Sequence, residues 1–156
     1  MLLSHQDRRL IRAIHLYQKH RSGRGPVSRL LCAWGKLGHM VWTVISASDV
    51  SRDAQIAPGT RFPHLTGVVV HQDAVIGEGC MIMQQVTLGQ MAEAGAPRLE
   101  AGVYVGAGAK ILGGVRIGRK ARIGANAVVL ADVPEDATAV GVPATVTRRG
   151  DPGSAV

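Results

Sequence analysis

Aliphatic residues recur every six positions through most of this chain. Val50, Ile56 and Phe62 open the series, Val70, Ile76, Ile82 and Leu88 continue it, and Leu99, Val105, Ile111, Ile117, Ile123 and Val129 complete it. Four residues after nearly every one stands a small or β-branched side chain: Ala54, Thr60, Thr66, Ala74, Cys80, Val86, Val103, Ala109, Val115, Ala121, Ala127 and Val133. A period of six fits neither an amphipathic helix nor one long alternating strand. It suits short strands joined by tight turns and wound into a β-helix, the larger residue filling each face and the smaller one each corner. The series slips twice, by two residues between Phe62 and Val70 and by five between Leu88 and Leu99. Such insertions are expected as loops on the outside of the coil, where function tends to reside.

The first 48 residues keep a different period. Leu10, Ile14 and Tyr17 recur at helical spacing, and after a break at Gly23 to Pro26 so do Val27, Leu30, Leu31, Trp34, Leu37, Val41 and Val44. Two helices are predicted, with Pro26 in the first turn of the second, where its missing N–H costs nothing. Gly35 and Gly38 weaken that helix but permit close packing on a neighbour. The expected organisation is a basic helical segment over 1–48, a β-helix over 49–146 with an external loop at 90–98 that is small and polar enough to move, and a tail over 147–156.

Composition and charge refine this picture. Of 156 residues 46% are apolar but only 3% aromatic, so the interior must be built from Val, Ile, Leu and Ala, as suits a narrow prism. A chain this apolar is not disordered, and glycine without a triplet period excludes collagen. The net charge of +7 resides entirely in residues 1–48, where eight cations face Asp7 alone; the rest carries ten charges of each sign. A segment so charged suits docking on an anionic membrane surface or a partner, the alternative being a solvated helix face. No aromatic residues interleave the cations to stack bases, so nucleic acid is not expected as a partner. Cys32 and Cys80 lie in unlike contexts and give neither a disulfide framework nor metal-ligand spacing. The start lacks the order of a signal peptide and no apolar run spans a bilayer, so the expected location is cytoplasmic, with peripheral contact at the inner membrane face.

Four stretches carry a more specific pattern: Phe62 through Val70 with Pro63-His64-Leu65 inside it, Gln85-Val86-Thr87-Leu88-Gly89, Val105 through Gly113, and Ala139-Val140-Gly141-Val142-Pro143-Ala144. From Asp49 through Arg148 the chain resembles the hexapeptide-repeat acyltransferases, and within them the serine acetyltransferase branch. The resemblance implies a left-handed parallel β-helix, acetyl-coenzyme A (acetyl-CoA) as acyl donor, and a homotrimer with its sites between prisms. The hand comes from the resemblance alone, because the crossover rule for parallel strands favours the opposite one.

Acyl transfer from a thioester to a hydroxyl needs a base, a stabilised oxyanion and two aligned substrates. His64 is the candidate base, on the outside near a vertex. Three hexapeptides make one triangular coil, so Asp49, just before the first face, should approach the same vertex and orient the imidazole. The resemblance implies the same pair. His71 is the rival base, with no assigned carboxylate partner, and His5, His15, His20 and His39 are expected on the helical surface. For acetyl-CoA, the resemblance implies a groove near Gly89, Ala107 and Ala125. Ala107 and Ala125 stand eighteen residues apart, one full coil, so they stack on one edge where small side chains admit a pantetheine arm. Gly106 belongs to this edge; Gly106-Ala107-Gly108 is no dinucleotide fingerprint, because no strand-to-helix switch follows. Lys110, Arg116, Arg119, Lys120 and Arg122 form a run without acids suited to the phosphates, as do Arg148 and Arg149. No metal is expected.

Departures from the family bear on the acceptor. Serine acetyltransferases have a longer helical domain, an Asp before the catalytic His and an Arg-His pair in the loop. Here Pro63, Gly95 and Ala96 stand at those places. A neutral acceptor site is therefore expected, and Pro63-His64-Leu65-Thr66-Gly67 resembles more closely the short sugar or polysaccharide O-acetyltransferases. That resemblance implies an O-acetyltransferase acting on a sugar or polysaccharide precursor, expected beside a glycan-assembly partner. The alternatives are a serine O-acetyltransferase of cysteine biosynthesis and a non-catalytic trimeric scaffold.

Overall fold

The computed structural model describes residues 5–91 and 94–147. The helical period forms α1 (Gln6–His20) and α2 (Pro26–Ser46), and the six-residue period forms three stacks of short strands. The first face stacks β1 (Asp49–Val50), β3 (Val69–Val70), β6 (Thr87–Gly89), β9 (Lys110–Leu112) and β12 (Val128–Val129). The second stacks β2 (Gln55–Ile56), β4 (Val75–Ile76), β7 (Arg98–Leu99) and β10 (Arg116–Ile117). The third stacks β5 (Met81–Ile82), β8 (Tyr104–Val105), β11 (Arg122–Ile123) and β13 (Thr138–Val140), closed by the antiparallel β14 (Thr145–Thr147). Every other pairing between these strands is parallel, in keeping with the left-handed hexapeptide β-helix that the resemblance implies.

Register turns the repeat into ladders. Val50, Val70, Leu88, Ile111 and Val129 pair in succession along the first face and are all buried. Ala54, Ala74, Cys80, Val86, Val103, Ala109, Ala121 and Ala127 fill the corners. Two positions depart from the expected assignment. Thr66 is exposed, because the slip after Phe62 hands its corner to Val68, which is fully buried. Val133 bridges Ile117 and so belongs to a face, a third slip that shortens the last coil.

The helices close the first coil. Leu10, Ile11 and Ile14 of α1 join the same buried cluster as the β-helix interior. His15 and His39, expected on the surface, each donate through Nε2 to a first-coil carbonyl, of Ile56 and Val50 respectively, at 2.7 Å. Gln18 Nε2 donates to the carbonyls of Arg52 and Ala54, both at 2.9 Å. Gly35 packs on the backbone of Tyr17, where a Cβ would stand 2.7 Å from the Tyr17 nitrogen. Close approach therefore runs through the glycine face of α2, and its apolar face turns outward: Val27, Leu30, Trp34, Leu37, Val41 and Val44 are 40 to 76% exposed. The periodicity found the stripe, but not the side that meets the core. Among the described residues no helix is long and apolar enough to cross a membrane.

Candidate active site

Backbone pairing builds the vertex that carries His64. Gly67 N–H donates to the Ala47 carbonyl at 2.9 Å and Asp49 N–H to that of Val68 at 2.8 Å, so the entry to β1 and the segment after His64 meet there. Both side chains are exposed. They open on different cavities, and among the described residues no hydrogen bond joins them. His64 faces a polar cavity of about 260 Å³ with Asp7, Arg61 and Pro63, whereas Asp49 lines one of about 240 Å³ with Ser51, His71 and Gly89. His71 does have a carboxylate neighbour: its Nδ1 accepts the Asp73 N–H at 3.2 Å and lies 3.7 Å from the Asp73 carboxylate.

The cavity beside His64 contains a charged pair that the spacing did not reveal. Arg61 Nε donates to Asp7 Oδ2 at 2.9 Å, and the backbone N–H groups of Arg8 and Phe62 reach the same carboxylate at 2.8 and 3.4 Å. The Asp7 side chain is 4% exposed and that of Arg61 is 43% exposed. Burial works to raise the Asp7 pKa, but the Arg61 guanidinium and the two N–H donors together outweigh it and hold the carboxyl below its ordinary value. Asp7 and Arg61 are 54 residues apart. The one clue was that Asp7 is the sole acid among the first 48 residues.

The edge expected to take acetyl-CoA continues from the same vertex. Gln85 N–H donates to Thr66 O at 3.0 Å, Gly108 N–H to Gln84 O at 2.9 Å and Asn126 N–H to Ala107 O at 2.8 Å, so one line of turns climbs past His64. Gly106 is buried at this edge, and a Cβ there would lie 2.7 Å from the Ala125 nitrogen; its bareness lets successive coils touch. Lys110 Nζ donates to Gln85 O at 2.8 Å. Gly89 sits at the far end of the first face, where its carbonyl accepts the Gly113 N–H at 2.9 Å. Gln84 was missed: the pairing of Ile82 with Val105 stacks it on Ala107, once the loop insertion is subtracted. Its Oε1 is buried and, among the described residues, has no hydrogen-bond partner. A buried acceptor lacking a donor fits the amide N–H groups of a pantetheine arm.

The cation run is less free than expected. Arg116 donates through Nε and Nη2 to the Oε1 of Glu100, a carboxylate from the preceding coil, and the Arg119 N–H donates to its Oε2 at 2.9 Å. These contacts hold the Glu100 pKa below its ordinary value. Arg122 lies over the Tyr104 ring at 4.9 Å. Arg148, Arg149 and the rest of the tail beyond Thr147 lie outside the described residues, as do Ala92 and Glu93 of the loop. The described part of that loop is folded back, with Ala94 N–H donating to Met91 O at 2.7 Å. Among the described residues no cluster of His, Cys, Asp and Glu could hold a metal ion.

Residues 96–131 match the family model for the bacterial transferase hexapeptide (six repeats). The chain is 39% identical over 134 residues to the serine acetyltransferase of Escherichia coli (strain K12), covering 74% of this chain and 49% of that one. The serine acetyltransferase of Haemophilus influenzae is 48% identical over 104 residues, covering 65% of this chain and 39% of that one. Among solved structures, a serine acetyltransferase in complex with CoA superposes with a TM-score of 0.76 at 36% identity, covering 94% of this chain and 59% of that one. The chain belongs to the hexapeptide-repeat transferases. Its homologues in that family include serine acetyltransferases, and it spans about half the length of the curated relatives it matches. A soybean serine acetyltransferase complexed with serine superposes equally well, with a TM-score of 0.77 at 38% identity over 94% of this chain and 59% of that one.

These relatives overturn the sugar or polysaccharide acceptor, and they lend no support to the glycan-assembly partner. The neutral site was inferred from Pro63, Gly95 and Ala96 alone. The cavity against His64 is in fact charged, because the fold brings Arg61 and Asp7 to it.

Proposed function

We propose that this hexapeptide-repeat transferase is a serine O-acetyltransferase that uses acetyl-CoA. The observation that carries the reading is the likeness, over 94% of the chain, to serine acetyltransferases in complex with CoA and with serine. In this reading acetyl-CoA lies along the edge of Gln84, Gly106, Ala107 and Ala125, with Lys110 and Gly89 near its ends. His64 takes the proton of the serine hydroxyl as the oxygen attacks the thioester carbonyl. The tetrahedral adduct then collapses, the carbon–sulfur bond breaks, and the departing thiolate recovers the proton from the imidazolium. Asp49, at the β1 entry to the same vertex, is the carboxylate proposed to orient His64, which requires the two exposed side chains to turn toward each other.

The test is thiol release from acetyl-CoA in the presence of L-serine, with the product identified by mass. Serine-dependent release with formation of O-acetylserine is expected. Binding of acetyl-CoA without any serine-dependent release would overturn the reading.

The assembly in this reading is a homotrimer, since a groove along one prism has a single wall and a second subunit supplies the other. Sedimentation should give three times the 16.4 kDa chain mass. A stable, fully active monomer would refute it. Peripheral contact with an anionic membrane surface remains a proposal for the basic helices, supported by the outward apolar stripe of α2 and the cations around it.

A further inference from the structure

The acceptor is small, and that fixes where its binding groups must be. In a β-hydroxy-α-amino acid the carboxylate lies only a few ångströms from the hydroxyl, so whatever holds the carboxylate must stand beside the base. The cavity against His64 has one such group. Among the described residues Arg61 is the one lysine or arginine that lines it, three residues before His64 on the same turn. Its backbone is fixed on the third face: Arg61 N–H donates to Cys80 O at 2.8 Å and its carbonyl accepts the Ile82 N–H at 3.0 Å. Its side chain is fixed by Asp7 through Nε. A guanidinium carries five donors in a planar fork, and Nε is the one committed to Asp7, which leaves the terminal edge to meet a second carboxylate in bidentate fashion. Asp7 is itself satisfied by Arg61 and two backbone N–H groups, so it does not compete for that edge.

We propose that Arg61, held in position by Asp7 of α1, binds the carboxylate of the amino-acid acceptor and directs its hydroxyl toward His64. This rests on reading the His64 cavity as the acceptor site. It also gives α1 a part in the chemistry: Asp7 is a positioning residue, supplied by the helical segment to a site built on the β-helix. A purely structural pair would only staple α1 to the first coil.

The two roles separate by comparing L-serine with L-serinamide, which lacks the carboxylate charge. Charge-assisted hydrogen bonds are worth about 1.5 to 3 kcal/mol, so Arg61→Gln should lower kcat/KM for L-serine by about 10- to 100-fold, mainly through KM. KM for acetyl-CoA should not move, and kcat/KM for L-serinamide should change by less than about threefold, so the preference for the acid collapses. Arg61→Lys, which keeps charge without the fork, should recover part of the L-serine affinity and serves as the test if Arg61→Gln does not fold. Calorimetric titration of the wild type with the two compounds reads the same preference without turnover. Wild-type preference for L-serine retained in both variants would overturn the assignment and leave a staple. Wild-type protein that neither binds nor acetylates L-serine would instead overturn the acceptor reading on which it rests.

Discussion

Replacing His64 with alanine is expected to lower kcat by about 10²- to 10⁴-fold while leaving acetyl-CoA binding and the melting temperature near those of the wild type. That range is the usual worth of a positioned general base. The side chain is exposed, so its removal costs the fold little. The proposed donor edge, made of backbone, small side chains, Gln84 and Lys110, is left in place by alanine at 64. His71→Ala supplies the control. Its Nδ1 is engaged by the Asp73 N–H within its own turn, so removing it should change kcat by less than about threefold. Stopped-time assays of thiol release on the two variants decide between them. A large loss in the His71 variant with near-normal turnover in the His64 variant would move the base to the cavity that Asp49 lines, and the mechanism would have to be rebuilt there.

The second large effect is on stability. Ile111 is fully buried on β9, an inner rung of the first-face ladder with Leu88 on one side and Val129 on the other. Truncation to alanine removes buried methylenes and leaves a cavity that stacked coils have little freedom to close, for a cost of about 2 to 5 kcal/mol. In a chain of this size each kcal/mol moves the melting temperature by about 2 to 4 °C. Val44→Ala, at an α2 position 76% exposed, should stay within about 0.5 kcal/mol of the wild type. Paired urea or thermal melts make the comparison. A loss below 1 kcal/mol at Ile111 would mean that the prism is not packed at that rung.

What could be read before the structure follows from the range of each signal. The ladders were legible because a hexapeptide coil repeats its own neighbours: a residue and its partner one coil away obey the same local rule, so the period alone aligns Val105 with Ile123. The rule failed where the coil changes length, at Thr66 and Val133, since spacing cannot tell which residue turns inward around a slip. It failed again on α2, where an apolar stripe was legible but the glycine face proved to be the one that packs. His15 and His39 were expected on the surface because what they bond to is backbone, which carries no sequence mark. Arg61 and Asp7 were out of reach for the plainest reason, a separation that no period spans. Of the candidate site, the stacking of Ala107 and Ala125 came from the repeat and the roles of His64 and that edge from the family resemblance, while the charged cavity and Gln84 came from the fold.

A stack of parallel coils is by nature an open template, each terminal rung offering unpaired backbone to another molecule. In this chain both ends are closed by different means. Ring nitrogens and an amide from α1 and α2 occupy four carbonyls of the first coil, and at the other end β14 turns back antiparallel on β13 while Ala144 N–H takes the Val128 carbonyl at 2.8 Å. The caps therefore set the length of the particle. They let a sequence whose every coil resembles the next remain a discrete molecule instead of growing end to end into a fibre.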